Sequence, residues 1–260
     1  MIRASADITS DRAMTPAIIT TRTTNRRVFF LAAAALAAIF PMIAPAGGQA
    51  GGELQQKLAA VKQSVAENQQ KLHQYQWTET TQLTLKGEDK PSTQSMCMYG
   101  PDGKIQKTQM GPPPQAPSGG RMKQRVVAKK KEEMKDYMGQ VKDLLNMYVP
   151  PDSQRMQEAF QAGKVSLNAT AGAGFANVVF KDYALTGDQM TITFNTATKT
   201  INSVNVHTYM DDPKDVVTLA VRFASLRDHT NYVQQSVLDA TAKKLQVTTT
   251  SSNYQLMQAH

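Results

Sequence analysis

Side chains that commonly carry out catalysis are few and scattered in this chain of 260 residues. The four histidines are His73, His207, His229 and His260, and none of them begins a metal-ligand spacing such as HExxH. The GxSxG motif, which presents the nucleophile of many serine hydrolases, is absent from the sequence. This pattern favours a protein that is not an enzyme and that holds neither a metal ion nor another cofactor.

Two glycine-containing segments are similar to phosphate-binding loops but lack residues that such loops require. Gly163-Lys164-Val165-Ser166 matches the end of a P-loop, yet Val165 stands where Ser or Thr is needed, and Glu158 replaces the first glycine. Gly172-x-Gly174 is followed neither by a third glycine at the required spacing nor by a helical pattern. We therefore interpret both segments as ordinary turns.

The segment Met96-Cys97-Met98 places three sulfur atoms next to one another in the chain. Soft sulfur ligands in an exported protein suggest copper. Alternate side chains of a strand point to opposite faces, so the thiol lies on one face and both thioethers lie on the other. Methionine is also a common filler of apolar cores. A structural role is favoured, and a copper-binding protein is the weaker alternative.

Residues 1–46 have the pattern of a signal peptide. Arg26-Arg27 precedes the apolar run Val28–Ile43, which Pro41 interrupts and which is shorter than the roughly 20 residues that a membrane-spanning helix needs. Ala44-Pro45-Ala46 fits the small-x-small rule for cleavage. We expect export to the periplasm by the twin-arginine or the general secretory route, and a protein that is not transmembrane after cleavage.

Residues 47–260 are predicted to form a single domain. The signal peptide holds five of the 29 basic residues and two of the 21 acidic ones, so the remainder has a net charge of 24 − 19 = +5. This modest surplus favours contact with an anionic membrane surface or an acidic envelope partner, whereas export argues against a nucleic-acid role. Cys97 is the only cysteine, so no internal disulfide can form and stability must come from packing.

The spacing of apolar residues changes within the first half of this domain, from a helical to a strand pattern. Apolar residues spaced by four and three from Leu54 to Tyr75 predict a helix, and a strand pattern begins at Tyr75 itself. Strands at 92–99 and 105–110 are predicted to follow, with a turn at Gly87–Lys90 before the first of them. A Pro-rich loop at 111–120 then separates them from the next helical segment.

The second half is predicted to be helical over 126–163, interrupted at Pro150-Pro151, and strand-like from there onwards. Asp152 or Ser153 is expected to cap a short helix that ends near Gly163. Each later strand is apolar on one face only, which requires a covering layer. The fold class is therefore predicted to be α+β, with a large curved antiparallel sheet, an incomplete β-barrel, whose concave face is covered by helices.

Three sets of residues follow from this architecture as candidate binding groups. The apolar side chains of the sheet are predicted to line a hydrophobic cavity: Trp77, Leu83, Leu85, Ile192, Phe194, Val204, Val206, Leu219, Val221 and Phe223. A helix above them is predicted to act as a lid: Met134, Met138, Val141 and Leu145. Basic residues before and within that helix form either a solvated face or a docking patch: Arg121, Lys123, Arg125, Lys129, Lys130 and Lys131.

The order of these elements resembles that of the LolA/LolB-like family of periplasmic lipoprotein carriers. The resemblance covers residues 54–255 and includes the helix that runs into Tyr75-Gln76-Trp77-Thr78-Glu79-Thr80, together with the paired strands 190–194 and 201–206. It implies an incomplete β-barrel with a helical lid around a cavity for acyl chains. In the carriers an arginine on an early strand helps to hold the lid closed, whereas no arginine occurs between Gln74 and Met110 here.

The sequence thus leaves three functional hypotheses open. The first is a non-enzymatic periplasmic carrier or sensor that binds a lipid-like or lipoprotein acyl ligand by burying methylene groups. The second is an envelope protein-interaction module without a small-molecule ligand, which would dock partners through the basic helix and an exposed sheet edge. The third is the copper-binding protein.

Overall fold

Strands that alternate in polarity and are joined by short turns form one antiparallel sheet of 11 strands in the computed structural model. The structure describes residues 67–111, 121–149, 151–170, 174–198 and 200–257. The strands are β1 (Tyr75–Leu85), β2 (Glu88–Asp89), β3 (Thr93–Tyr99), β4 (Ile105–Met110), β5 (Val165–Thr170), β6 (Phe175–Lys181), β7 (Gln189–Asn195), β8 (Thr200–Tyr209), β9 (Val216–Ser225), β10 (Asn231–Ala240) and β11 (Leu245–Leu256). The helices after β4 are α1 (Arg121–Leu145) and α2 (Ser153–Gln161), and a 3-10 turn lies at Thr241–Lys243.

The strand order explains how the helices come to be associated with the sheet. β1 lies inside the sheet, between β3 and β11, and the chain first runs outwards through β3 to the edge strand β4. It then passes through α1 and α2 to the opposite edge strand, β5, and returns strand by strand to β11. β4 and β5 are not paired, so the sheet is not closed, and the predicted α+β class with an incomplete barrel-like sheet is confirmed.

The described part of the first predicted helix is short. Residues 67–72 are helical and 73–74 form a turn before β1, so the helix runs almost directly into the strand as predicted. The remainder of that predicted helix, the signal peptide at 1–46 and residues 112–120 of the Pro-rich loop lie outside the described residues. No helix within the described ranges is long and apolar enough to cross a membrane.

The predicted turn at Gly87–Lys90 is partly wrong, because the chain reverses over two residues and not four. Lys86 and Gly87 both have positive φ angles, 55° and 79°, as in the tight turns that match the twist of a hairpin. Glu88 can therefore pair at once with Leu85, and β2 forms within the segment that the sequence assigned to a loop.

The predicted cap of the short helix α2 is confirmed. A carboxylate oxygen of Asp152 accepts a hydrogen bond of 2.8 Å from the backbone N–H of Arg155. At the other end Gly163 has a φ angle of 69°, a conformation that glycine adopts readily. The preceding helix ends at Leu145, and a turn over residues 146–149 connects it towards α2. The range 126–163, predicted to hold two helices separated at Pro150-Pro151, thus contains most of α1 and all of α2.

Candidate ligand-binding face

Cross-strand pairing collects the apolar side chains of the long strands on one side of the sheet, which we call the inner face. Directly opposed residues of antiparallel strands point to the same side. One line of opposed residues can therefore be followed through seven strands: Phe180, Met190, Val206, Leu219, Leu238, Val247 and Leu83. The apolar pattern of each strand continues across its neighbours, so this side forms one connected surface.

The predicted cavity residues share the inner face. Ile192, Val204, Val206, Leu219 and Val221 on the central strands are at most 4% exposed, and Trp77 is 5% exposed. The remaining predicted residues are half-buried: Leu83, Leu85, Phe194 and Phe223. The structure thus places these side chains together, while the cavity that they are predicted to line stays a prediction.

The opposite side of the sheet, the outer face, is polar. A line of opposed residues there consists of amides, hydroxyls and one guanidinium group: Asn177, Thr193, Ser203, Arg222, Gln235, Thr250 and Thr80. Such side chains remain hydrated at little cost. Only the inner face therefore has to be removed from water.

A buried group of polar side chains attaches the end of α1 to the inner face. The hydroxyl of Tyr148, in the turn after α1, donates a hydrogen bond of 2.5 Å to Asp188 and lies 2.7 Å from the hydroxyl of Thr208 on β8. Asp188 also accepts backbone N–H bonds from residues 183–185. All three side chains are at most 2% exposed, and burial, followed by the bond to Asp188, raises the pKa of Tyr148.

A second contact holds the middle of α1 near the turns at the same end of the sheet. The hydroxyl of Tyr137 donates to Asp215 between β8 and β9, over 3.3 Å. The ammonium group of Lys243, between β10 and β11, lies 5.4 Å from the centre of the same ring. Burial raises the pKa of Tyr137 to about 12, and the charge of Asp215 adds to this effect. Tyr137 therefore links α1 to the β8–β9 and β10–β11 turns.

The predicted lid residues lie on this part of α1. Val141 and Leu145 are 0% and 3% exposed, and Met134 and Met138 are half-buried. Leu144, which the sequence reasoning did not select, is also buried. The buried positions of the helix thus fall in its C-terminal part.

The predicted basic patch lies on the exposed N-terminal part of α1. The side chains of Arg125, Lys129, Lys130 and Lys131 are exposed, and those of Arg121 and Lys123 lie outside the described residues. Two acidic neighbours partly neutralise this surface: Glu133 lies 4.0 Å from Lys129, and Glu132 lies 3.0 Å from Lys135. Exposed pairs of this kind contribute little to stability.

An aromatic cluster lies at the opposite end of the strands. Trp77 stacks on Tyr254 of β11, with ring centres 5.4 Å apart and planes inclined by 8°. Tyr254 also contacts Tyr232 of β10, and Tyr99 of β3 contacts Trp77. Sequence reasoning selected only Trp77, because Tyr232 and Tyr254 come from strands far along the chain that reach Trp77 only when β11 pairs with β1.

The helical residues before β1 are fixed to this same end. The side-chain amide of Asn68 donates a hydrogen bond of 2.7 Å to the backbone carbonyl of Asn231. The side-chain oxygen of Asn68 accepts a hydrogen bond from the backbone N–H of Asn231. Leu72, 6% exposed, joins the aromatic cluster. Helical segments thus contact both ends of the strands.

The sulfur atoms of Met96, Cys97 and Met98 do not lie on the same face of β3. Cys97 is fully buried on the inner face, directly opposite Trp77, whereas Met96 and Met98 alternate with it. Burial, with a smaller contribution from Glu79, raises the pKa of the thiol to about 12, which disfavours the thiolate that metals bind. Among the described residues no group of three or more His, Cys, Asp or Glu side chains is placed to hold a metal ion.

The chain has little similarity in sequence to known proteins. No protein-family model and no curated protein sequence matches it. Among solved structures, the chain is similar to the crystal structure of a DUF1329 family protein from Desulfovibrio piger ATCC 29098, at 9% sequence identity. The match covers 78% of this chain and 94% of that chain, with a TM-score of 0.37.

Replacing Tyr148 by Phe tests the buried attachment of α1. Without the hydroxyl, Asp188 loses a buried donor, and we expect the free energy of unfolding to fall by about 1 to 3 kcal/mol. Tyr209→Phe is the matched control, because its hydroxyl bonds to the carbonyl of Thr186 at an exposed site. Urea unfolding followed by circular dichroism measures both. Equal, small losses for the two variants would contradict the assigned role.

The buried tyrosines predict a loss of stability at alkaline pH. Burial raises the pKa of Tyr137 and Tyr183 to about 12 in the folded protein, from an ordinary value of 10.0. Their contribution is therefore complete below pH 10 and is lost as the pH rises through 12. Urea unfolding at a series of pH values should show this fall. A constant free energy of unfolding over that interval would contradict it.

Proposed function

We propose that this protein is a non-enzymatic carrier or sensor that works in the periplasm and binds a lipid-like or lipoprotein acyl ligand on the inner face. The observation that carries the proposal is the connected apolar surface that runs through seven strands on one side of an unclosed sheet. The LolA/LolB-like resemblance of the sequence, with its carrier function, is consistent with this arrangement.

Helical segments are fixed at the two ends of the strands. Tyr137 of α1 and Tyr148 in the turn after it bond to Asp215, Asp188 and Thr208 at one end, and Asn68, before β1, bonds to Asn231 at the other. An acyl chain between these contacts would gain about 0.8 kcal/mol for each buried methylene group. Binding of this kind depends on shape and needs no catalytic motif.

The polar chemistry of the described residues supports a non-enzymatic role. Asp188, the most buried carboxylate, is engaged by Tyr148 and by three backbone N–H groups. Cys97 is buried with a raised pKa, which makes it a poor nucleophile. Periplasmic location rests on the signal peptide at 1–46, whose cleavage would release the sheet domain after export.

Replacing Phe194 by Asp tests the binding face. Phe194 is half-buried on the inner face, and a carboxylate there would have to be desolvated on contact with an apolar ligand. We expect the affinity for the uncharged fluorescent probe N-phenyl-1-naphthylamine to fall by at least about tenfold, measured by fluorescence titration. Ser203→Asp is the control, because Ser203 lies on the outer face of the neighbouring strand β8, opposite Thr193, and this variant should bind as the unmodified protein does.

Unchanged probe affinity in folded Phe194→Asp protein would contradict the proposal. Circular dichroism of each variant establishes that it is folded. A loss of affinity that is equal in the outer-face control would show an effect on the fold and would likewise remove the support for a binding face.

A second candidate function, an envelope protein-interaction module, is favoured by the exposed part of α1. Val126 is 55% exposed, the exposed residues Lys129 and Lys130 follow it by three and four positions on the same side of α1, and the edge strand β5 exposes 69% of Leu167. An apolar side chain within a basic surface is suited to an acidic partner or an anionic membrane surface. A protein with this function alone would not bind the uncharged probe.

A further inference from the structure

The two edge strands of the open sheet differ in how well they are protected from pairing with another chain. β4 carries Lys107 on the inner face, where its ammonium group is paired with Glu79. A charged residue that points inwards is one of the features that keep an edge strand from pairing. β5 contains neither a charged residue nor a proline, and its Leu167 is 69% exposed. β5 is therefore the edge that can accept a further strand.

The pairing of β5 with β6 shows which backbone groups of β5 point towards the edge of the sheet. The carbonyl of Lys164 accepts a hydrogen bond of 2.9 Å from the N–H of Lys181 on β6. Because these directions alternate along a strand, the even-numbered residues of β5 direct their N–H and C=O groups towards β6. The groups of Val165, Leu167 and Ala169 point the other way, to a side where the described part of the chain places no strand. These are the groups that an incoming strand would bond.

The apolar surface of the inner face reaches this edge of the sheet. Val165 lies opposite Phe180, and Leu167 lies opposite Val178, which in turn lies opposite Ile192. Ile192 is 1% exposed, whereas Leu167, the last side chain of this line, is largely in contact with water. An apolar side chain on an unpaired strand edge is typical of a site where another strand is added.

We propose that β5 pairs with β5 of a second copy of this chain, antiparallel and about a two-fold axis that passes Leu167. In this register Leu167 lies opposite its own copy and Ser166 lies opposite Asn168, so that inner face continues into inner face and outer into outer. Leu167 and its copy exchange two backbone hydrogen bonds, and so do Val165 and Ala169. The register thus uses every outward-pointing backbone group of the strand. The proposal does not depend on whether the inner face binds a ligand.

The charges and the size of this edge are suited to a weak, closed dimer. No charged residue lies within β5, and Lys164, which precedes it, is paired with Asp182 at 3.4 Å. Two copies therefore meet here without directly opposed like charges, which would destabilise the pair. Pairing one short strand buries less surface than a standard interface does, so we expect a Kd on the order of 10 to 100 μM. A two-fold pair is closed, because it leaves no free edge at β5 for a third copy.

Disulfide cross-linking of protein purified from the exported fraction tests the register. In Leu167→Cys the two Cα atoms would lie about 5.5 Å apart, a distance that a disulfide spans. We expect most of this variant, at about 100 μM with oxidised glutathione, to run as a covalent dimer on a non-reducing gel. Val165→Cys separates the two Cα atoms by about 13 Å, and Gln109→Cys places an exposed thiol on β4, so neither should cross-link. Cys97 is fully buried and should not react in any variant.

Sedimentation velocity measures the same association without a covalent bond. Leu167→Lys places two like charges opposite each other, and we expect it to weaken the dimer by at least about tenfold. Gln109→Lys adds the same charge at an exposed position of the other edge strand and should leave the dimer unchanged. Since Leu167 is 69% exposed, its replacement should not unfold the protein, which circular dichroism of each variant checks.

Three results would overturn the proposal. The first is an unmodified protein that stays monomeric at about 500 μM, well above the expected Kd. The second is a dimer that Leu167→Lys leaves intact, because the copies would then meet at another surface. The third is equal cross-linking of Leu167→Cys and Val165→Cys, which the two-fold register does not allow.

Discussion

The structure depends on one constraint, which is that the inner face of the sheet must be kept out of water. In each long strand alternate side chains are apolar and polar, so hydrocarbon lies on one side and amides or hydroxyls lie on the other. Antiparallel pairing joins the apolar sides of neighbouring strands into one surface. Each square ångström of apolar surface that leaves water contributes about 25 cal/mol, so an uncovered face of this size would destabilise the fold. The helices follow from this requirement.

Helical segments are attached to the sheet at both ends of its strands, by different kinds of contact at each end. At one end Tyr148 reaches the buried carboxylate of Asp188, a directional contact that fixes the turn after α1 on the sheet. At the other end Trp77 and Tyr254 stack, and Asn68 bonds to the backbone where β10 begins. Directional contacts thus hold helical segments at both ends of the strands, with the inner face between them.

Much of this fold can be predicted from local signals. β4 matches the predicted strand 105–110, because a tight glycine turn precedes it and Gly111 follows it, and Asp152 caps α2 as its side chain and position indicate. β5 and β6 were recognised only as strand-like, since neither has a clean alternation. The contacts of Asp188 and Tyr254 could not be predicted, because each joins segments that are far apart in the chain. Their partners depend on strand order, which no local pattern specifies.

The central claim is that the inner face holds an amphiphile in the exported protein. Native mass spectrometry of protein purified from the exported fraction, without added lipid or detergent, tests it most directly. The account predicts a population heavier than the processed chain by the mass of a lipid or acylated molecule, which is lost on denaturation. A spectrum containing the bare chain alone, from protein that also fails to take up added lysophospholipid, would contradict it.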